Sequence, residues 1–117
     1  MNQKTPQNLT PRQLEKWLQD KDKQPLLVDV REQAELDIAA FPSPIVHLPL
    51  SQASVWTTSL KSNLSFKKPI VALCHSGIRS WNFALWLIEQ DDRYNVWNLE
   101  GGIDAWSMQI DDSVPRY

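Results

Sequence analysis

The stretch Pro69-Ile70-Val71-Ala72-Leu73-Cys74-His75-Ser76-Gly77-Ile78-Arg79-Ser80 decides how this chain is read. An apolar run ends on the only cysteine of the sequence, and a short loop with one glycine and one arginine follows. Trp81-Asn82-Phe83-Ala84-Leu85-Trp86-Leu87-Ile88 then continues at once as a helix-like segment. The pattern predicts a buried strand, a tight loop and a helix, with the Cys74 thiol at the strand's carboxyl end facing a helix N-terminus. Loop amides and the positive end of a helix both favour negative charge, so a thiolate is stabilised in that position. A lone cysteine is by default a small buried hydrophobe. Here Gly77 permits backbone conformations that other residues resist, and Arg79 places a fixed cation five positions on. Successive amides can then turn inward as an anion-binding nest around the sulfur. Cys74 is therefore read as a nucleophile.

Outward from the loop, strand and helix signals alternate. Thr10-Pro11-Arg12-Gln13 starts a helix, with Thr as N-cap, Pro at the first helical position and Gln three residues after the cap. Leu9 and Leu14 are spaced for a hydrophobic staple, and Leu14, Trp17 and Leu18 make one apolar stripe. Leu26-Leu27-Val28-Asp29-Val30 reads as a buried strand, followed by a short helix over Arg31–Ile38. Phe41-Pro42-Ser43-Pro44 is a loop. Ile45-Val46-His47-Leu48 is a second strand, and Ile70–Leu73 a third. Between them, Ser51 to about Leu60 is a helix weakened by Ser54, Thr57, Thr58 and Ser59. The helix after the loop is apolar on most sides and is expected to be largely buried. Tyr94-Asn95-Val96-Trp97-Asn98-Leu99 is a fourth strand, and Gly101-Gly102 a tight turn before a short helix containing Ala105 and Trp106. Residues 1–8 are expected to be a flexible lead-in and 9–117 a single domain. This alternation favours an α/β fold with a parallel sheet covered on both faces. Ligand sites of such folds lie beyond the carboxyl ends of the strands, where Cys74, the Asp29/Arg31 corner and Glu100-Gly101 all fall.

Bulk properties narrow the function classes. The chain has 117 residues, 42% apolar and 22% charged, as expected for one globular domain. A net charge of −2 gives no electrostatic case for nucleic acid or an anionic membrane as partner. No run approaches the ~20 apolar residues of a membrane span, and the polar N-terminus lacks a signal-like apolar core. One cysteine allows no internal disulfide, and a cytoplasmic setting is the default expectation. One cysteine and two histidines in unrelated spacing make a metal site improbable. Most of the six tryptophans are expected to pack in or at the edge of the core. Trp81, in the first turn beyond the loop, is the one placed to wall a pocket or dock a partner.

Four pieces of the chain, taken together, resemble the rhodanese homology family of sulfurtransferases. They are Leu27-Val28-Asp29-Val30-Arg31-Glu32, His47-Leu48-Pro49-Leu50, Cys74 to Ser80, and Asn98-Leu99-Glu100-Gly101-Gly102-Ile103-Asp104-Ala105-Trp106, in the family's order and covering roughly residues 9–110. The resemblance implies a rhodanese-like three-layer α/β/α fold with a central, mostly parallel sheet of four to five strands. It also implies a catalytic Cys74 that cycles through a persulfide, with no cofactor. The amides of His75, Ser76, Gly77, Ile78 and Arg79 would cradle the outer sulfur, and Arg79 would help bind a small anionic donor such as thiosulfate. The acceptor would be cyanide, a thiol or a protein. Related phosphatases of this fold have a longer loop that fits a tetrahedral phosphate; the six residues from Cys74 to Arg79 favour a sulfane sulfur. The family's usual Gly-His-Ile-Pro-Gly segment stands here as Ala40-Phe41-Pro42-Ser43-Pro44. Asp91-Asp92-Arg93 occupies the place before the fourth strand where a glycine is common.

The remaining candidates each have a structural reading beside the functional one. Arg79 is expected to hold donor oxygens through its planar fork, the other reading being a pair with a nearby carboxylate. His75 is expected at the pocket rim rather than as a general base, because adjacent residues on such a loop point apart. His47 is expected to be a satisfied structural histidine, and Asp29, Arg31 and Glu32 a structural corner. For Ser76 two readings stay open, a hydroxyl donated to the sulfur or simply a small loop residue. Two functions follow from these residues: a sulfurtransferase acting on a small donor, or a persulfide relay that hands sulfur to a partner protein.

Overall fold

Ile70, Val71, Ala72 and Leu73 carry no polar side chain, and all four are fully buried, as a strand covered on both faces requires. In the computed structural model, which describes residues 5–117, they form β4 (Ile70–Leu73), the middle strand of a parallel sheet. Its neighbours are β2 (Leu26–Asp29) and β5 (Val96–Leu99), with β3 (Val46–His47) outside β2 and β1 (Gln7–Leu9) outside β5. Side chains alternate across the sheet. Ile70, Ala72 and Cys74 point into one core layer, and Val71 and Leu73 into the other. The first layer is closed by α3 (Ala53–Trp56), α4 (Leu60–Asn63) and α5 (Ile78–Gln90). The second is closed by α1 (Pro11–Leu18) and α6 (Gly102–Gln109). The three-layer α/β/α architecture matches the sequence expectation. Each fully buried aliphatic side chain in these layers contributes about 1.5–3 kcal/mol.

Local chemistry explains most element boundaries. The capping box at Thr10 is formed: its hydroxyl accepts from the Gln13 amide at 3.2 Å, and Gln13 Oε1 accepts from the Thr10 amide at 2.8 Å. Leu9 and Leu14 are both buried beside it. A further short helix, α2 (Gln33–Ile38), is capped by Glu32. Asp29 and Arg31 form a fully buried pair, with Arg31 Nη2 at 2.8 Å from Asp29 Oδ2 and Arg31 Nε at 3.0 Å from Oδ1. His47 Nε2 lies 2.6 Å from the Arg31 carbonyl oxygen. This corner ties the ends of β2 and β3 together, and removing one partner of such a pair typically costs about 3–5 kcal/mol.

Several sequence expectations are corrected. Gln7 and Asn8, read as part of a flexible lead-in, belong to β1, which pairs along Trp97, Asn98 and Leu99 of β5. Their polar side chains carry no strand signal; the neighbouring strand and the burial of Leu9 supply the reason. Residues 1–4 lie outside the described residues. The helix expected from Ser51 is broken into α3 and α4, each preceded by a 3-10 turn. Thr58 Oγ1 donates to the Val55 carbonyl at 2.8 Å, the local competition that weakens helices at such residues. The helix after the loop begins earlier than read, at Ile78, so Arg79 and Ser80 belong to its first turn. It buries one stripe, Ser80, Phe83, Ala84, Leu87 and Ile88, while Trp81, Leu85 and Trp86 stay half-buried. Phe41, in the segment that departs from the family pattern, is buried against Trp106 with ring centroids 4.9 Å apart. No helix among the described residues is long and apolar enough to cross a membrane.

Candidate active site

The loop between β4 and α5 is fixed from two sides and by a glycine of its own. On one side the N-terminal amides of α6 take its carbonyls: Ile103 N–H donates to the Cys74 oxygen at 2.8 Å and Asp104 N–H to the His75 oxygen at 3.0 Å. Each trans peptide points its N–H opposite its C=O, so the His75 and Ser76 amides face away from α6. This contact requires a bare α-carbon at Gly102, which has φ +62 and sits against both carbonyls. From the sheet, Asn98 Nδ2 donates to the Gly77 carbonyl at 3.1 Å and to Asn8 Oδ1 at 3.1 Å. Gly77 itself, at φ +99, turns the chain into α5.

Cys74 Sγ lies at the floor of this loop. It accepts from the Gly77 amide at 3.1 Å and the Ser80 amide at 3.4 Å, and Ser80 Oγ is 3.3 Å away. Ser80 Oγ is also 2.6 Å from Asn98 Oδ1. The hydroxyl has one proton, and the closer oxygen takes it, so a lone pair of Oγ is left to receive the proton of the neutral thiol. The two amides serve the thiolate. The residue is 1% exposed, so the thiol lies beneath the loop rather than on open surface. The amides of His75, Ser76, Ile78 and Arg79 have no acceptor among the described residues.

Of the predicted loop residues, only Gly77 contacts the sulfur directly, and the side chains of Arg79 and His75 have partners of their own. Arg79 forms a bidentate pair with Glu35, Nη1–Oε1 at 2.7 Å and Nη2–Oε2 at 2.8 Å, the structural arrangement that the sequence reading ranked second. His75 makes no hydrogen bond to Sγ; its ring stacks on Tyr117 at 4.1 Å with planes 15° apart. The Tyr117 hydroxyl donates to Glu35 Oε2 at 2.8 Å and accepts from Arg31 Nη1 at 3.1 Å. Ser76 and Ile78 are exposed, and with Gly77 and the half-buried Trp81 they line a cavity of about 290 Å³. Among the described residues, no group of three or more His, Cys, Asp or Glu side chains gathers as a metal site would need.

Sequence reasoning missed Ser80 as a sulfur contact, and also Asn98, Asn8, Glu35 and Tyr117. Asn98 left a usable signal, because an amide inside an apolar strand must find hydrogen-bond partners when buried. Glu35 and Tyr117 left none, since they reach the site only through tertiary contacts.

The Arg79–Glu35 pair also predicts an acid response. Arg79, with help from Tyr117, holds the Glu35 carboxyl at about 2, below its ordinary value. A carboxyl depressed on folding adds stability above its unfolded value, and that stability is lost as pH falls from about 4.5 toward about 2. Arg79 is partly exposed, so solvent screening reduces the contribution to about 1 kcal/mol. Urea titrations at neutral pH and at pH 3 are expected to show the Glu35→Gln variant losing less stability on acidification than the wild type; equal losses would contradict the assignment.

The sequence model of the Rhodanese-like domain matches residues 10–109, nearly the whole chain. The chain belongs to the rhodanese-like domain family. Among relatives of this rhodanese-like chain, the Arabidopsis thaliana rhodanese-like/PpiC domain-containing protein 12 is 41% identical over 91 residues, covering 78% of this chain and 30% of that protein. The Drosophila grimshawi adenylyltransferase and sulfurtransferase MOCS3 is 35% identical over 114 residues, covering 95% of this chain and 25% of that protein. The chain thus spans less than a third of either relative's length. Among solved structures, a single-domain sulfurtransferase of Saccharomyces cerevisiae, RDL2, superposes with TM-score 0.69 at 22% identity, covering 97% of this chain and 98% of that one. A rhodanese-like domain protein of Staphylococcus aureus gives TM-score 0.73 at 20% identity, covering 95% and 98%. At these identities the superpositions establish the rhodanese fold.

Proposed function

We propose that this chain is a sulfurtransferase. The Cys74 thiolate attacks the sulfane sulfur of a small donor such as thiosulfate, a new S–S bond forms, and the donor's own S–S bond breaks with its electron pair leaving on the rest of the donor. The persulfide then passes its outer sulfur to a thiophilic acceptor, cyanide or a thiol. The observation that carries the reading is the sulfur held by the Gly77 and Ser80 amides, beside four more amides without acceptors among the described residues. Those amides, of His75, Ser76, Ile78 and Arg79, suit the outer sulfur of a persulfide anion. No resident cofactor is needed, because the reaction exchanges one S–S bond for another. The sulfurtransferase relative in Drosophila grimshawi supports the same chemistry.

A protein acceptor is a second reading. Ile78 is 69% exposed at the start of α5, and Trp81 stands one turn on. An apolar rim beside a buried sulfur suits delivery to a docked partner. Steady-state thiocyanate formation from thiosulfate and cyanide tests the enzyme reading. Turnover that continues well beyond one sulfur per chain supports it; a single stoichiometric burst favours the relay.

A further inference from the structure

On the reading that Cys74 carries sulfur, the geometry points to Glu35 as an internal counter-anion that selects the donor: we propose that the site takes sulfur from persulfides bonded to carbon in preference to thiosulfate. Arg79 is the cation that a dianionic donor would need, and both of its terminal nitrogens are already engaged by the two oxygens of Glu35 at 2.7 and 2.8 Å. Glu35 is itself fixed by the Tyr117 hydroxyl at 2.8 Å, and by its place in α2, where its Oε1 also accepts from the Glu32 amide at 3.1 Å. The other two arginines at this end of the molecule are also paired, Arg31 with Asp29 and Arg116 with Asp104. An arriving sulfonate group must therefore share Arg79 with Glu35 and lie beside its carboxylate, a like-charge contact that disfavours binding.

A persulfide on carbon meets neither obstacle. Its inner sulfur bears carbon in place of a charged sulfonate, and its only ionisable group is the sulfane sulfur, toward which the loop amides can donate. The exchange balances without an outside oxidant or reductant: Cys74–S⁻ plus R–S–SH gives Cys74–S–SH plus R–S⁻. The bond between the two donor sulfurs breaks, and its electron pair leaves on the thiolate. With thiosulfate the same attack releases sulfite, whose full dianionic charge must develop next to Glu35. Glu35 thus acts through Arg79, as a positioning and selecting residue rather than a catalytic one.

The test is single-turnover loading of Cys74, followed by intact mass, as a function of donor concentration. The donors are thiosulfate and the persulfide of 2-mercaptoethanol, whose only charge is on the persulfide. The wild type is expected to load from the persulfide at least about ten-fold more efficiently than from thiosulfate. Glu35→Gln is expected to narrow that ratio by about ten-fold or more, mainly by lowering the half-saturating thiosulfate concentration and not by raising the maximal rate. Tyr117→Phe, which removes one restraint on Glu35 and keeps the ring on His75, is expected to shift the ratio the same way by a smaller factor. An unchanged ratio in both variants, or a wild type that prefers thiosulfate, overturns the selection by Glu35 and leaves the sulfur-carrier reading standing. Loading from neither donor overturns both.

Discussion

Cys74→Ala is expected to reduce sulfur uptake and transfer to the uncatalysed background while leaving the fold in place. The chain has no other thiol to take over the role, so no residual activity can come from a neighbouring cysteine. The cost to stability is small, about 1 kcal/mol, because one buried sulfur atom is removed from a site where the backbone is held by α6 and Asn98 rather than by the side chain. Cys74→Ser separates the two contributions further. A hydroxyl can still accept from the Gly77 and Ser80 amides, yet it is a poor nucleophile toward a sulfane sulfur. Both variants should therefore unfold near the wild-type urea midpoint and fail to form thiocyanate. Transfer that survives either substitution would move the chemistry away from this loop.

Gly102→Ala is expected to damage both stability and transfer, although it lies outside the loop. An added Cβ would sit 2.4 Å from the His75 carbonyl oxygen and 2.5 Å from that of Cys74, at a backbone angle of φ +62 that side chains resist. These are main-chain atoms and cannot rotate out of the way. Either the loop or the start of α6 must move, and the bonds from the Ile103 and Asp104 amides are lost or stretched. Positive φ and overpacking together predict a loss of about 3 kcal/mol or more. A displacement of about 1 Å at the thiol is enough to lower loading roughly a hundred-fold. Denaturant midpoints and single-turnover loading measure the two effects separately. A variant that keeps wild-type values for both would show that α6 does not set the loop.

Much of the site was legible because the strongest signals are local. A strand without polar residues, a glycine at the turn and a helix following immediately leave few ways to place Cys74, and the loop opens at Cys74 as read, though α5 cuts it short at Ile78. Thr10, Pro11 and Gln13 likewise specify a helix start within four residues. What escaped the sequence depends on partners distant in the chain. Asn8 reads as lead-in, yet β5 recruits it into the sheet and its side chain supports the amide of Asn98. For Arg79 the sequence left open a carboxylate partner but could not name it, until α2 folds back and brings Glu35 to its fork. Tyr117 is the extreme case, because nothing near it in sequence indicates that it stacks on His75 and bonds to Arg31 and Glu35. The same contacts alter the functional argument. The sequence suggests an open anion site at Arg79, and the folded chain presents one already occupied by its own carboxylate.

If the main-chain amides of the β4–α5 loop hold a sulfur atom on Cys74, treating the protein with a sulfane donor, trapping and digesting it, and mapping the added mass will locate that atom. The expected result is one extra sulfur on the peptide containing Cys74, removed by cyanide with release of thiocyanate. A Cys74 that stays unmodified by every sulfane donor, in a protein shown to be folded, would contradict it.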